Sequence, residues 1–162
     1  LGCELYVINS AERLGKYADM FKDAGYKVYH LPCPSGLITR WSYCQQIVRL
    51  VKKEGIDDPV LGDAIKAHNP KCGMKAKTNL QYALLAADPM SGFVKAVAQI
   101  YPDKKIASVK HKSVMKRFNE LRFASGANRD YMEAIEFTGL SLDDLIDVAL
   151  EEMGAIADVL GL

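Results

Sequence analysis

The feature that most constrains this chain is a pair of apolar segments, residues 64–69 and 82–92, each holding a polar side chain that can bind a ligand. The first contains His68, and the second carries Asp88 among alanines and leucines. Both segments have helical character, and a buried carboxylate without a partner is costly. His68 and Asp88 therefore either face solvent or bind something, and this choice governs the functional interpretation.

The composition is that of one globular domain, or of one domain with an appendage. Of the 162 residues, 49% are hydrophobic and 25% are charged, and the formal net charge is +1. This charge provides no broad attraction to nucleic acid, which we do not expect as a partner. No apolar run is long enough to span a membrane, and no signal peptide is recognised. We expect a cytoplasmic protein that does not bind membranes.

The four cysteines match no zinc or redox spacing. They are Cys3, Cys33, Cys44 and Cys72. We expect four reduced thiols, because a chain with this apolar content does not need disulfides. The alternative is that Cys33 and Cys44 act together in sulfur chemistry.

Local patterns divide the chain near residue 40. Residues 4–8 and 26–31 alternate like strands and flank a helical stretch, which predicts a β-α-β segment within residues 1–40. An alternative is that this segment is a diverged front half of the following domain. From residue 41 to residue 162 the pattern is helical, so we predict a mainly α fold.

Capping residues mark the predicted helices. Candidate N-caps are Asp58, Thr78, Ser108, Asn128 and Ser141. We expect Pro89 to kink or break the helix that follows Thr78, and a basic helix to run from Ser108 to about Arg122. The last helix has apolar residues spaced alternately by four and three, which indicates packing along one face. They are Leu142, Ile146, Ala149, Met153, Ile156 and Leu160.

Taken singly, each polar residue has a plain explanation. His68 lies at a helix C-terminus, where the partial negative charge of the carbonyls favours an imidazolium as a surface cap. Asp88 lies on a strongly apolar segment, where it would serve as a structural hydrogen-bond acceptor or bind a cation.

In combination, four stretches resemble a known family. They are AIKAHN (64–69), LLAADPMSG (84–92), RF with FASGANR (117–118 and 123–129) and LSLDDL (140–145). Over residues 55–162 the chain is similar to the C-terminal part of predicted HD-superfamily phosphohydrolases. The resemblance implies an HD-like helical bundle in which Asp88 ligates a divalent metal (Mn, Mg, Fe or Zn). It further implies that His68 ligates a second metal or contacts a phosphate.

The chain departs from that family at its defining feature. No residue pair reads His-Asp, and His30, which stands about where the dyad histidine would fall, is followed by Leu31. His30, His68 and Asp88 would supply two or three ligands, fewer than the four or so of a mononuclear site, and would hold a metal weakly. Any hydrolase activity is therefore expected to be weak or absent.

A run of basic residues follows the Asp88 segment. It comprises Lys104, Lys105, Lys110, Lys112, Lys116, Arg117, Arg122 and Arg129. The plain interpretation is a solvated face, and His111 within it is expected to be part of that face. The functional interpretation is a rim that attracts a phosphorylated ligand, with Lys66, Lys110 and Arg129 as phosphate-binding residues.

These observations support one leading function and two alternatives. The first is an HD-like metal-dependent phosphohydrolase, degenerate and weakly active, that acts on a small phosphorylated or nucleotide substrate. The second is a non-catalytic HD-like module that binds a nucleotide or a protein. The third is a sulfur-handling protein that acts through Cys33 or Cys44, since residues 6–44, with a β-α-β start, a proline-rich turn and a cysteine, also resemble small selenium- or sulfur-carrier domains. A homo-oligomer is compatible with each.

Overall fold

The computed structural model describes residue 23, residues 37–68 and residues 73–162. Within these residues the chain is mainly helical and forms no strand, which confirms the mainly α fold class. The predicted β-α-β segment and His30 lie outside the described residues, apart from residue 23 and residues 37–40, which are helical. The boundary near residue 40 stays a prediction.

Among the described residues after residue 36, the chain forms seven α-helices and two 3₁₀ segments. They are α1 (Leu37–Lys53), α2 (Pro59–Ala67), α3 (Asn79–Gln99), the 3₁₀ segment Ile106–Ser108, α4 (His111–Phe118), α5 (Arg129–Glu133), the 3₁₀ segment Ala134–Thr138, α6 (Leu142–Ala155) and α7 (Ala157–Leu160). No described helix combines the length and the apolar character that crossing a membrane requires.

Side-chain caps fix the start of most helices, as the sequence predicts. Asp58 accepts from the Val60 amide at 2.8 Å. Thr78 and Ser141 each form a capping box with the residue three positions later, and Asn128 accepts from the amide of Tyr131. These bonds satisfy amides that have no partner within the helix, so each cap sets a helix start through local chemistry alone.

The central helix α3 runs through Pro89 without a break, so the predicted kink or break is wrong. Proline removes one intrahelical hydrogen bond. The residues on both sides of it belong to one buried stripe that holds the helix together. The fully buried members of this stripe are Ala86, Met90, Phe93, Val94, Val97 and Ala98. Helices α2, α4, α5 and α6 and both 3₁₀ segments pack on α3.

The basic helix is shorter than its predicted span. Ser108 does not cap it, because the Ser108 hydroxyl donates to Asp103 Oδ2 at 2.5 Å and closes the preceding turn. The helix α4 begins at His111 and ends at Phe118. It does not continue to Arg122, because the chain after Phe118 turns around the side chain of Arg129.

The last helix follows the predicted seam only in part. Leu142, Ile146, Ala149 and Met153 pack against the core. The helix α6 ends at Ala155, and Ile156 leaves the helical conformation and is 42% exposed. The continuous helix predicted to Leu160 is therefore wrong beyond residue 155.

Arg129 organises the loop between α4 and α5. A guanidinium carries five N–H donors, and here Nε makes one hydrogen bond and Nη1 and Nη2 make two each. The acceptors are the carbonyls of Phe118 (3.3 Å), Ala124 (3.1 Å), Ala127 (3.0 Å), Glu120 (3.3 Å) and Phe123 (2.6 Å). The same guanidinium lies 5.0 Å from the centroid of the Phe93 ring. Arg129 thus ties the loop to the central helix.

We predict that Arg129→Met lowers the free energy of unfolding by about 3 kcal/mol, because several loop carbonyls lose their donor at once. Urea denaturation measures this change. The exposed Arg122 provides the control, since Arg122→Met is expected to alter stability by no more than about 0.5 kcal/mol. Equal effects of the two substitutions would contradict the role assigned to Arg129.

Candidate functional site

His68 is the C-cap residue of α2 and is half-buried. Its Nδ1 lies 2.6 Å from the carbonyl oxygen of Ile65. A carbonyl only accepts, so Nδ1 carries the proton in this contact. In the neutral ring, Nε2 is then the nitrogen with a free lone pair. The sequence placed His68 at a helix end, and the structure adds which nitrogen could contact a ligand.

Asp88 lies on α3 with its side chain exposed. Of the two alternatives that the sequence left open for Asp88, exposure to solvent or a bound partner, the structure shows exposure. The reason is helical phase: at about 100° per residue, Asp88 falls on the side of α3 opposite Val97 and the rest of the buried stripe. Its side chain makes no hydrogen bond or ion pair with the described residues, and the Ser91 hydroxyl donates only to its backbone carbonyl. An exposed carboxylate needs no partner.

A metal centre is not complete within the described part of the chain. No group of three or more His, Cys, Asp or Glu side chains converges there to hold an ion. Asp88 and His68 could each contribute one ligand, and the third predicted ligand, His30, lies outside the described residues. The described residues alone therefore do not fit the divalent metal that the family resemblance implies.

The three predicted phosphate-binding residues lie on separate elements. Lys66 lies on α2, with its ammonium 3.0 Å from the carboxylate of Asp63. Lys110 is the exposed residue before α4. Arg129 begins α5, and all five of its N–H donors bind backbone carbonyls. A phosphate contact from Arg129 would cost the loop these bonds.

An open pocket of about 290 Å³ lies between the end of α3 and one side of α4. Its lining combines apolar walls, two hydroxyls and two cations. The residues are Val97, Ile100, Tyr101, Pro102, Ser113, Lys116 and Arg117. We call it the basic pocket. Its volume is at the lower end of the range for small-molecule sites, so it suits a small ligand.

Hydrogen bonds leave donors available in the basic pocket. The Tyr101 hydroxyl donates to Ser113 Oγ at 2.7 Å, so the Ser113 hydroxyl proton can serve another acceptor. Arg117 Nη1 donates to Glu120 at 2.5 Å, and its guanidinium lies 5.4 Å from the Phe123 ring centroid. Lys116 is exposed and forms no ion pair with the described residues. These groups can donate to an anion.

His111, the first residue of α4, joins this helix to α6. Its Nδ1 lies 2.6 Å from an Asp147 oxygen, and its Nε2 lies 2.7 Å from an Asp143 oxygen. The basic run suggested that His111 belongs to a solvated face. This is wrong, because both ring nitrogens contact carboxylates and the side chain is only 29% exposed. We call this trio the His111 clamp.

The His111 clamp raises the pKa of His111 above its usual value. The hydrogen bond to Asp147 contributes most, burial opposes it, and the hydrogen bond to Asp143 adds to it. A carboxylate cannot donate, so two carboxylates at the two nitrogens favour the doubly protonated ring. The imidazolium is thus the form that completes the clamp.

No protein-family model, curated protein or solved structure matches this chain. The functional interpretation therefore rests on the residues themselves.

Sequence reasoning found the two cations of the basic pocket but not its two hydroxyls. Lys116 and Arg117 belong to the basic run that the sequence singles out. Tyr101 and Ser113 are twelve residues apart and give no motif, so their contact emerges only from tertiary packing. The His111 clamp was missed for the same reason, because its carboxylates lie more than thirty residues along the chain.

We predict that the chain loses stability as the pH rises from about 6.5 upward. A raised pKa in the folded state means that the clamp contributes fully below the unfolded value of 6.5 and is lost as pH passes through the folded pKa. The loss should be about 1 kcal/mol, because both carboxylates are largely exposed.

Thermal or urea unfolding between about pH 6 and pH 9 measures this loss, and His111→Gln should reduce it. Lys112→Gln is the control, because Lys112 is exposed on the same helix without contacting Asp143 or Asp147, and it should keep the wild-type slope. An unchanged slope in His111→Gln would contradict the assignment.

Proposed function

We propose that this chain is an HD-like helical module that binds a small phosphorylated or nucleotide ligand without hydrolysing it. The observation that supports this most directly is the basic pocket. It presents Lys116, Arg117 and the Ser113 hydroxyl on one side of a cleft of about 290 Å³. The HD-like scaffold itself is proposed from the resemblance of residues 55–162 to that family.

The donors of the basic pocket suit a phosphate. Phosphate oxygens accept strong hydrogen bonds from ammonium and guanidinium groups. Arg117 uses one N–H for Glu120, and its other N–H groups have no acceptor among the described residues. Lys116 adds a mobile positive charge, and Ser113 adds a neutral donor. Together they could contact several oxygens of one phosphate.

The apolar walls suit the remainder of such a ligand. Among the lining residues, Val97 is fully buried, Ile100 is 48% exposed and Pro102 is exposed. A base or a sugar face could cover this apolar surface while the phosphate meets the cations. The small volume favours a mononucleotide or a smaller phosphorylated metabolite over a polymer.

We predict that Lys116→Gln weakens binding of nucleoside monophosphates roughly tenfold, through the loss of one charge-assisted contact. Lys112→Gln is the matched control, because Lys112 is exposed on the same helix and does not line the pocket. Isothermal titration calorimetry at low salt measures both affinities. Equal weakening by the two substitutions would indicate unspecific charge attraction, and no binding by the unmodified chain would refute the proposal.

A second candidate function is metal-dependent phosphoester hydrolysis. What favours it is that α2 and α3 pack together, with a free Nε2 lone pair on His68 and an exposed carboxylate on Asp88. Further ligands, His30 among them, would have to come from residues outside the described part. Manganese, magnesium, iron or zinc would then polarise the phosphate and activate a water.

These two functions make opposite predictions for the metal. Under the first, the purified chain holds substoichiometric divalent metal and does not turn over phosphomonoesters or nucleotides with added manganese. Metal analysis and phosphate release measure this, with Asp88→Asn as the test and Asp158→Asn as an exposed acidic control. Stoichiometric metal and turnover that both disappear only in Asp88→Asn would replace the first function by the second.

A further inference from the structure

We infer that protonation of His111 regulates the basic pocket: the clamp holds α4 against α6, and releasing it as pH rises weakens anion binding on the opposite side of α4. This inference rests on the proposed function, because it concerns the regulation of the same pocket. It is carried by the geometry of His111, Asp143 and Asp147 and by the position of α4 between α6 and the pocket.

The clamp needs two protons on one ring. At 2.6 and 2.7 Å, both nitrogens of His111 lie at hydrogen-bond distance from carboxylate oxygens. A neutral imidazole has one N–H and one lone pair. After loss of a proton, the lone pair would face either Asp143 or Asp147, and two electron-rich atoms do not stay at this distance. One of the two contacts between α4 and α6 is therefore lost.

Helical phase places the clamp and the pocket on opposite sides of α4. At about 100° per residue, Ser113, Lys116 and Arg117 lie roughly 140–240° around the helix from His111. The buried Val114 and Phe118 lie beside His111 and face the core. The clamp thus contacts the side of α4 that faces away from the pocket. The same helix supplies three residues of the pocket lining.

The start of α4 is not fixed by a side-chain cap, unlike the starts of α2, α3, α5 and α6. Its N-cap residue, Lys110, makes no side-chain cap hydrogen bond. The helix has only eight residues, so its backbone alone stabilises it weakly. Loss of one clamp contact should therefore increase the motion of the residues that line the pocket.

The charged groups around the His111 ring make its protonation depend on the two carboxylates of α6. The carboxylates of α6, Asp143 and Asp147, face the ring, and Lys110 and Lys112 flank it on its own segment. The 3₁₀ segment Ile106–Ser108 carries no charge, and α3 carries only Asp88 and Lys95. The partial positive charge at a helix N-terminus opposes an imidazolium. The doubly protonated form therefore depends on Asp143 and Asp147, and removing either should shift its titration to lower pH.

Sulfate titrations at about pH 6 and pH 8.5 test the inference, because the charge of sulfate is constant over this range. Calorimetry should give an affinity that falls about fivefold for the unmodified chain, the lower end of coupling between two sites. Asp147→Asn keeps the shape of the side chain and should move the midpoint of this fall to lower pH. Asp158→Asn removes a carboxylate from an exposed residue that does not contact His111, and it should leave both the size and the midpoint of the fall unchanged.

Nuclear magnetic resonance of the His111 ring gives an independent readout. Its titration midpoint should coincide with that of the sulfate affinity, and both should shift together in Asp147→Asn. Sulfate binding with the same pH dependence in His111→Gln would overturn the inference and leave the proposed function intact. No sulfate binding at either pH would overturn both the inference and the proposed function. A His111 titration midpoint that is the same in Asp147→Asn as in the unmodified chain would contradict the clamp itself.

Discussion

Burial of one face of α3 is the constraint on which the rest of the described structure depends. Met90, Phe93, Val94 and Val97 are fully buried there, and each large apolar side chain removed from water contributes on the order of 2 kcal/mol. Because α4, α5 and α6 pack on α3 and add residues to the same buried cluster, the phase of this face decides which residues of α3 can reach solvent. Asp88 is exposed for this reason, although its immediate neighbours are apolar.

The packing around Phe93 shows how a charged residue can serve the fold. The rings of Phe118 and Phe123 meet the Phe93 ring edge-on, at centroid distances of 6.1 and 5.5 Å. Arg129 covers this aromatic cluster while its N–H groups bind the surrounding carbonyls. A lysine could not replace it, because an ammonium has three donors and no planar fork. The loop after α4 is thus folded around a cation, so one conspicuous member of the basic run is structural.

The parts of the fold that follow from short-range chemistry could be predicted from the sequence. Asp58, Thr78 and Ser141 cap helices because their side chains bond amides two or three residues away. Ser108 is an equally good cap by local rules, yet its hydroxyl bonds Asp103. The outcome at Ser108 depended on a competing acceptor, which periodicity and propensity do not reveal. The same limit explains Pro89, where a long buried stripe outweighs one lost hydrogen bond.

For the site, the sequence identifies the type of chemistry more readily than its partners. A basic run is visible in the sequence, but which of its members face a cleft, a carboxylate or a carbonyl is decided by contacts between distant segments. Lys116 faces the basic pocket, His111 meets two carboxylates and Arg129 meets the backbone. Three neighbouring cations therefore have three different roles.

The net charge of +1 conceals a separation of charge that bears on ligand binding. Helix α4 carries only basic ionisable side chains, and α6 carries only acidic ones. Because the two helices pack together, the carboxylates of α6 offset the positive charge on the side of α4 that faces them. The field of the cations on the other side, Lys116 and Arg117, extends toward the pocket, and salt at about 0.1 M largely screens it beyond about 10 Å. An anion would therefore approach α4 from the side of the pocket, and the acidic helix helps to define that direction by occupying the opposite side.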